Sequence, residues 1–252
     1  PLAVAATCVE MLNRQDLDPT VRRELSQIGS LASAGDTTRK AAALLDILAR
    51  ARANGEKTVV FSRFRRTLEY LSEKLLATGV PHAALRGGMS GAEKDAAVQS
   101  FAEKVPVLLA SEVGGEGRNL QCASTLVNYD LPWNPMRLEQ RIGRLHRIGQ
   151  TREVHVVNLC AAGSIEERIL DVLDRRINMF EMVVGELDMI LGPIEEERDF
   201  GTRVLEIVGT ARGDEDVTQG FERLGDDLEA ARAAYGRTRE LDRRLFEREF
   251  EA

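Results

Sequence analysis

From Thr58 onward, short apolar runs alternate with segments whose apolar residues recur at helical spacing. Thr58-Val59-Val60-Phe61-Ser62 is β-branched and almost wholly apolar, the pattern of a strand buried on both faces. Leu68, Leu71 and Leu75 follow three and four residues apart and predict one face of a helix. His82-Ala83-Ala84-Leu85 predicts a weaker strand ending at Gly87-Gly88. Ser90-Gly91-Ala92-Glu93 has the capping-box spacing and opens a helix to about Phe101. Val105 to Ala110, apolar apart from Pro106, predicts a third strand, and Thr125-Leu126-Val127-Asn128-Tyr129 and Glu153 to Cys160 predict two more. Short strands interleaved with helices predict an α/β fold, a parallel sheet with helices on both faces.

The flanks read as helical. Residues 1–56 break near Asp18-Pro19 and Ala34-Gly35-Asp36, and Asp36 or Thr37 is the expected cap of a helix running through Leu44-Leu45 to Ala53 and stopping at Asn54-Gly55. Ser164-Ile165-Glu166-Glu167 repeats the capping-box spacing and predicts a long helix through Leu170, Leu173, Ile177 and Phe180 to about Leu191, ended by Gly192-Pro193. Beyond it the pattern predicts two helices around an Asp214-Glu215-Asp216 loop, the second from about Thr218 to Phe250. The expected organisation is a helical lead-in over 1–36, an α/β lobe over 37–192 and an acidic helical tail over 193–252.

Charge changes meaning once it is placed along the chain. The 252 residues carry a net charge of −7, which as an average argues against a general polyanion binder. Residues 193–252 hold 17 acidic residues against 10 arginines and no lysine, so the tail carries the whole imbalance and residues 1–192 are neutral. With 43% hydrophobic and 30% charged residues the chain has material for a core and is not expected to be disordered. Cys8, Cys122 and Cys160 are odd in number and widely spaced, so neither a disulfide framework nor a zinc site is expected. No apolar run approaches the roughly 18 residues of a membrane helix. The start at Pro1-Leu2-Ala3 has no Met and no basic n-region, the expectation for a piece of a longer cytoplasmic protein without a signal peptide.

Two segments carry candidate chemistry. Leu109 to Leu120 runs from a strand into a loop with Gly114, Gly115 and Gly117, and glycines let backbone N–H groups come close to a phosphate or ribose. The loop matches neither GxGxxG nor a Walker A pattern, and an ordinary strand-to-helix turn has the same look. Trp133 to Gln150 is the second. Asn134 can cap a helix and Pro135 fits its first turn. Continued to residue 147, that helix would set Gln140, Arg144 and Arg147 within an arc of about 60°, with Arg137 and Arg141 beside them and Leu138, Ile142 and Leu145 opposite. Residues 137–152 hold five arginines and one glutamate, and the rigid guanidinium fork suits phosphate. A solvated basic face is the competing reading, although no acidic residue stands four positions after Arg144 or Arg147. No Gly-Lys pair and no apolar strand ending in Asp-Glu occur, so the chain can contribute arginines to a nucleotide site but is not expected to build one alone.

Taken together these residues resemble the second RecA-like lobe of a superfamily 2 helicase-type ATPase of the SWI/SNF family. Val59-Val60-Phe61-Ser62-Arg63-Phe64 is similar to motif IV, Leu109 through Pro135 to motif V and its extension, and Gln140 to Gln150, ending His146-Arg147-Ile148-Gly149-Gln150, to motif VI. The resemblance covers about residues 37–190, and its wording is that of the bacterial and archaeal branch, which includes RNA-polymerase-associated members. It implies that Arg144 and Arg147 are arginine fingers to the γ-phosphate of ATP, with ATP and Mg²⁺ held mainly by a first lobe. It implies that Gln140 orients that site, and that Gly115, Gly117 and Asn119 belong to the nucleotide-facing loop. It implies that Ser62, Arg63, Gly87 and Ser111 face the DNA backbone, with Asn134 in support and Trp133 as a packing anchor. The implied partners are double-stranded DNA, the N-terminal RecA-like lobe of the same protein, and RNA polymerase or another DNA-bound protein, at the nucleoid and not at a membrane.

The sequence departs from the family at Arg86-Gly87-Gly88, where eukaryotic members have Asp-Gly-Ser/Thr, and at Gly143, where many have Asp. Residues 193–252 match no part of it. A DEAD-type unwinding lobe would carry a similar arginine helix, and an interaction module docking through the acidic tail is the non-enzymatic alternative.

Overall fold

The apolar runs form strands because β-branched and leucine side chains can fill both sides of a sheet at once. In the computed structural model, which describes residue 12 and residues 18–33, 39–115, 117–147, 149–176, 178–179 and 200–249, these strands are β1 (Thr58–Phe61), β2 (His82–Leu85), β3 (Val107–Ala110), β4 (Thr125–Asn128) and β5 (His155–Asn158). All pair in parallel in the order β2-β3-β1-β4-β5. The helices among the described residues are α1 (Pro19–Ser33), α2 (Arg39–Ala53), α3 (Arg65–Ala77), α4 (Gly91–Glu103), α5 (Glu112–Gly115), α6 (Pro135–Ile142), α7 (Ile165–Arg175), α8 (Phe200–Thr210) and α9 (Asp214–Glu249). The expected cap at Asp36 or Thr37 lies outside the described residues.

Alternation along the central strands divides the core. Val60, Leu109 and Val127 point to one side, where Leu44 and Leu48 of α2 and Leu68, Leu71 and Leu75 of α3 cover them. Val59, Phe61, Leu108, Ala110 and Leu126 point to the other, against Phe101 of α4 and against Leu120, Ala123 and Leu145 from connecting segments. The expected two-sided α/β layering is therefore present. The box at the start of α4 is complete, with Ser90 N–H donating to Glu93 at 2.7 Å and Glu93 N–H to Ser90 Oγ at 3.3 Å.

The chain divides into two compact units, residues 1–131 with 144–159, and residues 132–143 with 160–252. The first holds the sheet. This division runs through Pro132 and Cys160, not at Gly192 where composition changes. In the second unit α7 and α8 both pack on α9.

Three expectations for this second unit need correction. The box at Ser164 is half made: Ser164 Oγ accepts from Glu167 N–H at 3.3 Å, but the Glu167 carboxylate accepts from Gly163 N–H at 2.6 Å instead of from Ser164. The helix it opens stops at Arg175, and Asn178 turns left-handed at φ 52°; Ile177 and residues 180–191 of the predicted continuation lie outside the described residues. Asp214-Glu215-Asp216 is the first turn of α9 and not a loop, a position where carboxylates favour the positive end of the helix dipole. Arginines answer part of the tail's charge, as Arg176 bridges Asp226 and Glu229 at 3.2 Å each and Arg203 pairs with Asp227.

Gly236 sits exposed in α9 with nothing within 4 Å of where a Cβ would be. Gly236→Ala is expected to raise stability by about 0.5–1 kcal/mol through helix propensity alone, read as a higher urea midpoint with an unchanged slope.

Candidate functional site

Parallel register aligns the carboxyl ends of the strands. Leu85, Ala110, Phe61, Asn128 and Asn158 stand in one line across the sheet. The ladder runs one residue further, with Ser111 N–H donating to Leu85 O, Ser62 N–H to Ala110 O, Tyr129 N–H to Phe61 O and Leu159 N–H to Asn128 O. The chain leaves β3 on one side of β1 and returns as β4 on the other. Ligands of open α/β sheets gather at the carboxyl edge where strand order reverses in this way. Ser62, Arg63, Gly87 and Ser111 all emerge within two residues of that line.

Their side chains differ in what they offer. Arg63 and Gly87 are exposed and Ser111 is half-buried. Ser62 was expected to face DNA, but it is fully buried and its hydroxyl donates to the Asp130 carboxylate. The other oxygen of Asp130 accepts from Arg63 N–H at 2.8 Å. Ser62 and Asp130 thus shape the turn from which Arg63 projects, and Ser62 itself presents nothing to solvent. Behind this edge Arg65 and Arg66 both pair with Glu69, whose carboxyl is held below its ordinary range chiefly by the Arg65 hydrogen bond, with charge from Arg66 and Arg86 adding to it.

The glycine loop is not a cradle of free N–H groups. Gly114 N–H donates to Ser111 Oγ at 3.0 Å and Gly115 N–H to Ser111 O at 2.8 Å, so both close the short helix α5. Gly114 is required by space, since a Cβ would stand 2.4 Å from Leu85 O. At Gly115 it would stand 3.1 Å from the Phe61 ring, so this buried glycine packs under the loop and does not reach out of it. Gly117 is different: exposed, at φ 73°, with open space around it. Asn119, also exposed, folds back on Gln121, accepting from its N–H at 3.0 Å and donating to its Oε1 at 3.0 Å. Arg118 is latched to α4 through Asp95 and Gly91 O.

The arginine segment departs most from expectation. The predicted cap is present, with Asn134 Oδ1 accepting from Met136 N–H at 2.8 Å and Pro135 opening α6. The helix then ends at Ile142, and Gly143 caps it with its N–H on Glu139 O at 2.8 Å. Arg144 and Arg147 therefore lie on a turn, and the helical arc joining them to Gln140 does not form. Gly143, a poor helix former, stands at that end. Beyond it Arg144 O accepts from Leu120 N–H at 3.1 Å and Leu145 O from Gln150 Nε2 at 3.1 Å, so the turn is held by other segments. Arg144 is half-buried and Arg147 exposed; Gln140 is exposed on α6. Arg141, expected beside the exposed face, is 2% exposed.

Residues 39–149 match the model of the helicase conserved C-terminal domain. This segment is a helicase C-terminal domain. The chain is 49% identical over 140 residues to the uncharacterized ATP-dependent helicase YqhH of Bacillus subtilis, covering 56% of this chain and 25% of that protein. It is 32% identical over 146 residues to the ISWI chromatin-remodeling complex ATPase CHR11 of Arabidopsis thaliana, covering 56% and 14% respectively. These relatives are SWI/SNF-type ATPases, and the chain spans a quarter or less of their length. Among solved structures it is similar in fold to the C-terminal part of the Fun30 ATPase domain, with TM-score 0.51, 23% identity and coverage of 67% of this chain and 63% of that one. It is similar in the same degree, TM-score 0.51 and 23% identity over 71% of this chain and 41% of the other, to the Sulfolobus solfataricus SWI2/SNF2 ATPase core in complex with dsDNA. The sheet and its covering helices have the RecA-like fold of such lobes.

Sequence reasoning missed the residues that work behind the exposed ones. Asp130 lies in the Tyr129-to-Pro135 segment, where Trp133, Asn134 and Pro135 drew notice. Gln150 closes motif VI without an assigned role, yet its side chain reaches three carbonyls. A polar residue among buried neighbours is the signal that could have marked Asp130; nothing local marks Gln150.

Proposed function

We propose that this helicase domain is the second lobe of an ATP-driven translocase on double-stranded DNA. One observation carries the reading: Leu120 N–H is hydrogen-bonded to Arg144 O, so the motif V segment ending in Gly117 and Asn119 and the turn bearing Arg144 and Arg147 run side by side. Arg144 and Arg147 stabilise charge on the γ-phosphate of ATP, and Gly117 and Asn119 face the ribose side. Arginine suits the task because it remains charged and offers donors in a rigid fork. Among the described residues no group of three His, Cys, Asp or Glu side chains could hold a metal. The Mg²⁺ that accompanies ATP has no ligands assigned here and enters no step.

Arg63, with Gly87 and Ser111, contacts backbone phosphates at the carboxyl edge of the sheet, while Ser62 supports the main chain behind Arg63. Binding of ATP draws a first lobe onto this one and hydrolysis lets them part, so a grip alternating between lobes advances along the duplex. Hydrolysis belongs to the two lobes together.

Duplex DNA is expected to stimulate ATP turnover by the two-lobe protein without separation of its strands. Turnover indifferent to DNA would refute the reading, and strand separation would favour a DEAD-type unwinding lobe. Arg63→Ala should weaken DNA binding across sequences alike and lower the slope of log affinity against log salt by about 1, as one lost phosphate contact does. An unchanged slope removes Arg63 from the interface.

A further inference from the structure

We propose that Gln150 is a positioning residue, which holds the arginine turn against the motif V segment and sets the placement of Arg144 and Arg147. The proposal rests on the reading of those arginines as fingers. Gln150 Nε2 donates to Gln121 O at 3.0 Å, Ala123 O at 3.3 Å and Leu145 O at 3.1 Å, while its Oε1 accepts from Arg152 N–H at 3.1 Å. Two of those carbonyls belong to the segment after motif V and one to the arginine turn, so a single amide joins the two strips of chain. Its own backbone N–H donates to Arg147 O at 2.9 Å across a turn in which Gly149 has φ 99°. Residues 145–150 are thus closed on themselves twice by one residue, with Arg147 inside the closure.

On the motif V side, Leu120 N–H holds Arg144 O at 3.1 Å, and Ala123 N–H returns to Leu120 O at 3.0 Å. Both finger residues therefore have their main-chain carbonyls tied, Arg144 to motif V and Arg147 to Gln150. Leu145 between them is buried with Leu120 and Ala123 on the α4 side of the sheet, which anchors the turn from below.

The chemistry at this position is selective. Three carbonyl oxygens converge on one end of the side chain and an N–H on the other, so the site needs a donor head and an acceptor on the same planar group. Glutamate would turn acceptors towards three acceptors. Lysine would leave Arg152 N–H without its partner. Asparagine keeps the amide but retreats by one methylene.

The test is a mutant cycle in the two-lobe protein, with ATP turnover measured at saturating duplex DNA. Gln150→Ala and Gln150→Glu are expected to lower kcat by about 10- to 100-fold, the cost of a catalytic group displaced by about 1 Å, with the ATP KM changed by less than about threefold. Combined with Arg147→Lys, the losses should be clearly less than multiplicative, because both act on one group. In the 252-residue chain by itself, the Leu120 amide should exchange with solvent about tenfold faster in either Gln150 variant, since its acceptor sits on the released turn.

Gln150→Asn carries the same test should the glutamate variant not fold. An unchanged kcat in variants that melt like the parent overturns the proposal, as do multiplicative losses with Arg147→Lys or an unchanged Leu120 amide. If Arg147→Lys by itself turns over ATP normally, the finger reading falls and the proposal with it. If only the Gln150 variants are normal, the fingers stand.

Discussion

Arg147→Ala in the two-lobe protein is expected to reduce DNA-stimulated ATP turnover by about 10³-fold or more, with ATP affinity close to the parent's. The magnitude is that of an arginine finger, which supplies roughly 10³–10⁵ in rate to phosphoryl transfer. Affinity should hold because the finger acts on charge that grows on the transferring group, so its contribution belongs to the transition state and not to the bound nucleotide. Arg147 suits this part: exposed, on a turn, and bearing a planar guanidinium with its donors in a fork. Arg147→Lys keeps the charge but loses the fork, so it should restore only part of the rate. Steady-state turnover with saturating duplex DNA, paired with nucleotide titration by fluorescence, checks both halves. Turnover within a few-fold of the parent would remove Arg147 from the reaction.

The second large effect concerns the fold beneath the site. A Cβ at Gly114 would stand 2.4 Å from Leu85 O, 2.5 Å from Leu85 C and 2.8 Å from Arg86 N. All three are backbone atoms at the end of β2, and Leu85 O already accepts from Ser111 N–H at 2.9 Å. Neither side can yield without opening the ladder, so Gly114→Ala is expected to cost about 2–4 kcal/mol, the upper range for overpacking. For a chain of this size that lowers the melting temperature by roughly 5–15 °C. Gly115→Ala should cost less, because the atom it meets at 3.1 Å belongs to the Phe61 ring, which can tilt. Gly87→Ala meets only Val113 at 3.9 Å, an ordinary contact, and should melt like the parent. Thermal denaturation of the three variants checks the order; a Gly114→Ala protein melting with the parent would mean that β2 and the glycine loop separate readily.

The layering of this protein was legible along the chain. A strand buried on both faces is apolar at most positions, so Thr58–Phe61 and Val107–Ala110 could be recognised without knowing their neighbours. Leu68, Leu71 and Leu75 revealed a helix because its one buried face imposes its own period. Ser90 and Glu93 formed their box because both partners lie within one turn. The grouping of Ser62, Arg63, Gly87 and Ser111 at one edge follows from parallel order, since every loop leaving such a sheet after a strand emerges on the same side.

What failed was each inference that let a local pattern run past a tertiary contact. The arginine helix was extrapolated from Gln140 to Arg147 on spacing, but Gly143 caps it between them. Beyond Gly143 the Leu120 N–H and the Gln150 amide, 24 and 5 residues away along the chain, hold Arg144 O and Leu145 O in a turn. Three glycines close together left a phosphate-facing loop and an ordinary strand-to-helix turn both open; Gly114 and Gly115 are small because Leu85 and Phe61 stand against them, and of the three Gly117 is the one at a positive backbone angle. By itself the sequence determined which segments become strands and helices and which residues share the carboxyl edge, because local hydrogen bonding and burial periodicity decide both. Only the tertiary structure decided how the arginine turn is held, which glycines are spacers and which serine is buried, because these depend on donors and walls supplied by distant parts of the chain.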